Sequence, residues 1–600
     1  LAKQPGFPVN FPEVFAYLEK VRLEMLSHEL TSAVTNLDAS ALASYNPCTV
    51  GSNMNDTCEV LGIPLGIQPE DEEDGGIGET SDFTMVSDYP PEARKPLVLP
   101  QGRFPGRWTY TTPGILWNED NTVPLKNDQT PELSVLPIQE DRYPWLSEGN
   151  FLEEKIIELP YPVDGSKFTQ CGASNCLIPL TPLFFKYFSA ASAERMLTLR
   201  NLSGGGIEAI LEIPVKRGKI TFRKIYSQPD KVKCDLHLAV IPYVRVEDKT
   251  FPYTIGILDD GREEPNPVRV ECYETGKVTG ISEPVFRNRS KVQRSYYYKT
   301  SGNFDVVRIT SGGSGGCVLP RWKPAGKGYH AVHFAIDFGT TNTHMEYKYG
   351  NSDAVAFDSS ASQPVWQSLL DVHHPSVNFQ DIADDRIFEQ EIMPYILSGE
   401  NPGEIRFPLR TALAFNKDLD ARTLPEPFQH VNNYMLYEKI HFPVYLDIRT
   451  QLKWSNYADT RDETLVRSYI EMLVLLVFYK TLILGGDPDQ TTITWFYPVS
   501  MDEYELGVLF RTWQQAYKSV FGLEPAGSRI NGIPESIAPY LYYKSSVIGQ
   551  SLSIDIGGGS SDMAVFDEAT SRAKLISSVK FAGNAIFGDG FPTGEFRNNS

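Results

Sequence analysis

The sequence predicts an α/β protein: a C-terminal lobe of mixed sheets preceded by a β-rich domain. Three observations carry that reading. HFAIDFGTTNTHMEYKYG, from His333, and LSIDIGGGSSDMAVFD, from Leu552, share one plan: apolar strand, aspartate, glycine turn with hydroxyls, second strand. Between them lie two helical stretches, Thr460 to Leu484 and the residues after Ser500. Upstream, the β-branched segments IEAILEIPV, KITFRKIY, CDLHLAVIPYVRV and FPYTIGIL alternate with the turn signals RGK, QPDK and DDGREEP.

In chain order, residues 1–67 form a partly helical segment, with Phe15, Leu18, Val21, Leu23 and Leu26 at three- and four-residue spacing. Residues 68–82 are acidic, contain glycine and read as a solvated linker. Residues 83–150 are rich in proline and aromatics and lack periodicity, so irregular loop and short strand are expected. The β-rich domain covers 151–325 and the second lobe 331–600, with 351–457 resembling an inserted outer subdomain.

Composition bounds the function classes. Six hundred residues suffice for several cores, because single domains run to roughly 100–200 residues. A net charge of −21 argues against surfaces built for phosphate backbones or anionic lipid, so neither nucleic acid nor membrane is expected as a partner. The most apolar run, Met472–Tyr479, is flanked by Glu471 and Lys480 and is far shorter than the ~18 residues of a membrane span. The chain starts at Leu1 with no basic-then-apolar leader, which suggests an internal start or a lost leader, and a cytoplasmic protein.

All seven cysteines precede residue 320, without disulfide-like spacing. Cys171 and Cys176, in CGASNC, resemble half a zinc site. A structural zinc wants four ligands and no second knuckle follows, so reduced thiols are expected. LSGGGIEA lacks the Lys-Ser/Thr of a P-loop and reads as a loop. SGGSGG (Ser311–Gly316) reads as a flexible turn. RNRSKVQRSYYYK (Arg287–Lys299) has the basic-aromatic mix of a single-strand nucleic-acid platform. An exposed, charged edge strand explains the same residues better.

The second lobe carries the chemistry. The turn after Asp337 aims backbone N–H groups and the hydroxyls of Thr340 and Thr341 at one spot, with Gly339 and Asn342 beside them, a nest suited to phosphate oxygens. Asp337 would repel phosphate unless a hydrated Mg²⁺ lay between. At the second hairpin, Asp555 precedes Gly557, Gly558 and Gly559, which remove every Cβ where the chain approaches a ligand; Ser560 and Asp562 follow. Ser500 with Glu503, and Thr460 with Glu463, have capping-pair spacing at the two helices. In RINGIPESIAPYLYY, Ile530 to Ile533 reads as a strand and Glu535 opens a helix.

Together these residues resemble the actin/Hsp70/hexokinase superfamily. DFGTTNT looks like its first phosphate loop, DIGGGSSD its second and PESIA the acidic junction between them; FAGNAIFGDGF resembles the turn after the second loop. The combination is most similar to Hsp70-like and bacterial actin-like ATPases. The resemblance covers 331–600 and implies an actin-like (ribonuclease H-like) ATPase lobe that binds ATP or ADP with Mg²⁺. It also implies roles: Asp337 and Asp555 hold the metal through water, the two glycine-hydroxyl turns hold phosphates, and Glu535 orients the attacking water. The family often places a lysine near the phosphates; Lys453, in QLKW, reads equally well as a surface residue and is left outside the site. The adenosine-binding turn would lie past Ser600, so the residues given are expected to hold nucleotide poorly alone. Three activities fit: an ATP-driven conformational switch, chaperone-like or part of a machine, with a protein partner on the β-rich region; a filament-forming actin-like protein; or an exopolyphosphatase or sugar kinase.

Overall fold

The structure, a computed structural model, describes residues 6–27, 59–60, 63–64, 88 and, apart from internal stretches of which 417–432 is the longest, 148–588. The chain divides into two compact units. The first, largely residues 1–86 and 95–145, contains a helix over Pro12–Ser27 where apolar spacing placed one. The linker reading of 68–82 and most of the irregular reading of 83–150 lie outside the described residues. All that follows concerns the second unit, residues 146–214 and 219–600 with 87–94.

That unit is mixed α/β with several sheets. In the main sheet the hairpin Val332–Phe338 and Asn342–Tyr349 is antiparallel, with Phe338 opposite Thr343. On one side Leu409–Asn416 pairs with the hairpin's second strand. On the other, Thr492–Tyr497 and then Ile530–Pro534 add in parallel to its first strand. The parallel additions need crossovers, and the two helices supply them. Within 351–457, then, Leu409–Asn416 belongs to the main sheet, and Gln367–Ser368 pairs with Leu236–Ile241 of the β-rich residues. A separate three-stranded meander holds Gln550–Ile556, Ser561–Asp567 and Arg572–Val579.

Local sequence accounts for the helices, although the caps fall elsewhere than expected. Thr460–Ile483 has no internal glycine or proline, and Asp459, not Thr460, caps it by accepting the Arg461 N–H. Glu503–Phe521 starts with a capping box between Asp502 and Glu505, not Ser500 and Glu503. An acidic side chain serves each cap as well as a hydroxyl would; Asp459 adjoins the expected Thr460, and Asp502 lies two residues past the expected Ser500. Val508, Leu509, Thr512, Trp513, Ala516, Tyr517, Val520 and Phe521 make one buried face on the second helix. The first is buried around most of its circumference, from Thr464 to Leu482.

That burial has two sources. One hydrophobic cluster runs without a break from Ile157 and Leu238 through Phe334 and Ile470 to Trp513 and Ile530. Phe478 of the long helix packs edge-on against Phe251 of the β-rich residues at 5.8 Å and against Phe521 at 5.0 Å. Where the helix ends, Gly485 has φ +64°, and a Cβ there would run into the Ala325 carbonyl. The Gly328 N–H donates to Gly485 O at 3.2 Å. Lys249 reaches the buried Asp487 at 2.9 Å.

Two expectations in the β-rich part hold only in part, and burial is the reason in both. Val285–Arg289 is the edge of its sheet, but Arg294–Lys299 is not: it pairs with Val285–Arg289 on one side and Thr254–Asp259 on the other. Its Tyr296, Tyr297 and Tyr298 are buried, and each hydroxyl is satisfied, by Asp259, Glu391 and Val268 O. Their rings are not presented for stacking. In SGGSGG the turn is confined to the hairpin tip between Ser311 and Ser314, with Gly313 at φ +74°, whereas Ser314–Val318 is a buried strand paired with Val306–Ser311. Its glycines make room: a Cβ on Gly316 would sit 2.6 Å from Leu177 Cβ.

Replacing Phe478 with alanine should cost about 3–5 kcal/mol, the usual range for a large aromatic core truncation. Because the cluster is continuous, urea unfolding followed by tryptophan fluorescence and by far-ultraviolet circular dichroism should shift together. Separate transitions for the β-rich residues and the lobe would contradict the shared core.

Candidate functional site

The site forms where the two hairpin turns face each other. The first turn is held from behind. Tyr469 of the long helix donates to Thr343 Oγ1 at 3.0 Å, Thr343 and Thr411 share a 2.8 Å hydroxyl bond, and the Thr411 N–H donates to Thr341 O at 2.9 Å. The second turn closes on itself through Gly557 N–H to Ser560 O at 3.0 Å. Gly558 and Gly559 lie directly against Thr341 and Thr340. A Cβ on Gly559 would fall 2.5 Å from Thr340 Oγ1 and 2.6 Å from Trp454 Nε1. Glycine is required there because two turns of the chain meet.

Beneath the turns sits a group of charges. Glu535 heads a short 3-10 turn directly after the strand Ile530–Pro534, as its proline-led junction implied. Its carboxylate forms an ion pair with Lys453, whose side chain is 1% exposed. Burial pushes the Glu535 carboxyl up to about 7; Lys453 pulls it down, and Asp562 and Asp337 push it further up. Asp555 is also raised, first by partial burial and then by Asp337 and Asp562. Asp555 stands opposite Asp562 in the meander, so both carboxylates leave the same face. Lys453 thus acts on both Glu535 and Asp555, each of which also feels Asp337 and Asp562. Asp562 is buried, and its Oδ1 has no hydrogen-bond partner.

The expected residues are therefore gathered, with one exception of orientation. Asp337, Gly339, Thr340, Thr341, Glu535, Asp555, Gly557, Gly558, Gly559, Ser560 and Asp562 all lie on the two turns or the charged floor. Asn342 instead opens the second strand, where its amide oxygen accepts from Arg410 at 3.4 Å.

Sequence reasoning missed three neighbours. Lys453, left outside the site because it read equally well as a surface residue, belongs to the floor; its only signal was the resemblance, which often places a lysine near the phosphates. Trp454 donates its indole N–H to Thr340 Oγ1 at 2.9 Å, and Lys580 lies over its ring at 4.3 Å. Asn584 accepts from the Thr341 hydroxyl at 2.9 Å, and its backbone N–H donates to Gly558 O at 2.7 Å. No spacing rule marks a lone tryptophan or asparagine as part of such a cluster.

Among the described residues, no three His, Cys, Asp or Glu side chains are grouped to ligate a metal directly. Cys171 and Cys176 are both buried, and burial pushes both thiols up to about 12. No helix of the described residues is long and apolar enough to cross a membrane.

No protein-family model matches this chain, and no curated protein does. Among solved structures, the crystal structure of an archaeal actin homolog aligns with a TM-score of 0.21 and 10% identity, over 42% of this chain and 62% of that one. A likeness of that size leaves the argument to the sheet order and the site.

The raised Glu535 carboxyl makes a signed prediction. Its folded value of about 7 exceeds the ordinary 4.5, so its contribution to stability is complete below about pH 4.5 and is lost as pH rises through 7. Lys453→Met removes the one group pulling that value down, so the loss should extend to higher pH. Urea unfolding should show a small deficit for the variant at pH 5 and one of about 3 kcal/mol or more at pH 8, the scale of a broken buried pair. An equal deficit at both pH values would place the charge of Glu535 elsewhere.

Proposed function

We propose that this chain belongs to a Mg·ATP-binding, slowly hydrolysing ATPase of the Hsp70/actin kind that works as a conformational switch. One observation carries the reading: two glycine-hydroxyl turns, from sheets far apart in sequence, meet over four carboxylates and a buried lysine. The order Leu409–Asn416, Asn342–Tyr349, Val332–Phe338, Thr492–Tyr497, Ile530–Pro534 is compatible with a ribonuclease H-like sheet.

The residues fit a magnesium–phosphate ligand. Asp562 Oδ1 is a buried acceptor without a donor, and the backbone of Gly558 and Gly559 comes so close to Thr341 and Thr340 that no Cβ fits between them. Asp337, Asp555 and Asp562 would hold the metal through water, consistent with floor carboxylates too dispersed to ligate directly. When bound, Mg²⁺ supplies neutralising charge for the phosphate oxygens. Thr340, Thr341 and the backbone N–H groups of the second turn supply positioned donors. Glu535, raised toward neutrality, stands where a carboxylate can accept a proton from water at working pH. Lys453 keeps that carboxylate oriented. Because the turns pack against each other, a phosphate enters only as they part, which ties ligand binding to the angle between the two hairpins. The β-rich residues, sharing a core with the long helix, offer the surface for a protein partner.

Mg·ATP should raise the thermal midpoint of the full-length protein by mass action, and Asp337→Ala or Asp555→Ala should each remove the gain. No shift with millimolar Mg·ATP or Mg·ADP refutes the assignment. Glu535→Gln should slow single-turnover hydrolysis by roughly ten- to a thousand-fold, with affinity little changed. The wild-type rate should climb as pH passes about 7 and the variant's should not. Phosphate released from polyphosphate but not from ATP would favour the exopolyphosphatase reading.

A further inference from the structure

We infer that Trp454 is a positioning residue that fixes the hydroxyl of Thr340 as a hydrogen-bond donor toward bound phosphate. The inference rests on the nucleotide-site reading above and reaches a residue that no motif supplies.

A threonine hydroxyl has one hydrogen and two lone pairs, and it rotates to suit its neighbours. An indole N–H can only donate. The 2.9 Å contact between Trp454 Nε1 and Thr340 Oγ1 therefore uses a lone pair of Thr340 and leaves its hydrogen to point elsewhere. Thr340 is 5% exposed, and among the described contacts its hydroxyl donates to nothing. On the side of the second turn, Gly559 packs against Oγ1 and, among the described contacts, takes no hydrogen bond from it. An acceptor between the turns would meet a hydroxyl already aimed at it.

Thr341 is arranged the other way. The oxygen of an amide side chain only accepts, so Thr341 spends its hydrogen on Asn584 Oδ1. Two adjacent threonines, equal in sequence, are thus assigned opposite roles by the side chains that meet them.

The indole is itself held. Trp454 ends the short turn Leu452–Trp454, so the turn that places the Glu535 partner, Lys453, also places the indole donor. Lys580 covers its ring at 4.3 Å and reaches Glu505 at 3.4 Å. Neither Trp454 nor Thr340 belongs to the second turn, so the parting of the turns does not by itself break their bond.

The test is a double-mutant cycle on the full-length protein, read as Mg·ADP affinity by calorimetry. Thr340→Val, which removes the hydroxyl, should weaken binding about tenfold, the scale of one hydrogen bond to a charged acceptor. Trp454→Phe should weaken it by a similar factor while leaving the ring stack with Lys580. The double variant should be no weaker than either single one, because an unoriented hydroxyl and an absent one donate equally little. A merely structural role for Trp454 predicts additive losses, and additivity overturns the inference while leaving the nucleotide site intact. A wild-type protein that binds no Mg·ADP overturns both. Should Trp454→Phe not fold, the indole N–H resonance of Trp454 in tryptophan-labelled protein decides: it should move on Thr340→Val in the absence of ligand, and an unmoved signal denies the bond.

Discussion

A lysine ammonium with 1% exposure is tolerable only if a carboxylate meets it, and the arrangement of the second unit follows from that need. Lys453 stands just ahead of the long helix and Glu535 just past the last parallel strand. Joining them requires the helix, both parallel strands and the second helix to pack in one way. The like-charged aspartates around the pair then find their place. Asp337 comes from the main sheet, Asp555 and Asp562 from the meander, and Glu535 registers Asp337 and Asp562 in its raised carboxyl. The same pair that makes the floor costly makes its carboxylate useful near neutral pH.

Much of this was legible because periodicity and turn chemistry are local. The hairpins at Asp337 and Asp555, the strand at Ile530, the start of Glu535 and the extents of both long helices each depend on residues within a few positions. The failures share a non-local cause. Tyr296, Tyr297 and Tyr298 sit among basic residues, and only pairing with Thr254–Asp259 on the far side shows them to be interior. Gly315 and Gly316 read as slack until Leu177 and Glu153 fill the space where side chains would be. Lys453 read equally well as a site lysine or a surface residue because nothing within eighty positions announces Glu535 as its partner.

The site divides the same way. Residue types at the two turns announce phosphate chemistry, whereas the residues that set direction arrive from separate stretches: Trp454 bears no signature, and Asn584 lies in FAGNAIFGDGF, a segment the sequence marks without marking that residue. A sequence motif encodes which groups are present; the surrounding fold decides which of them donate and which accept.

The seam of glycines between 326–328 and 485–486 changes what the chain crossing there can do. With no side chains between them, the two backbones touch, and Lys249 clasps Asp487 alongside. Such a joint does not bend like a linker. It acts as a weld, so the β-rich residues ride with the end of the long helix as an outrigger rides with its hull. A rotation of a few degrees at the turns would be carried outward along that arm, and a small displacement at the floor would become a larger one at the β-rich surface.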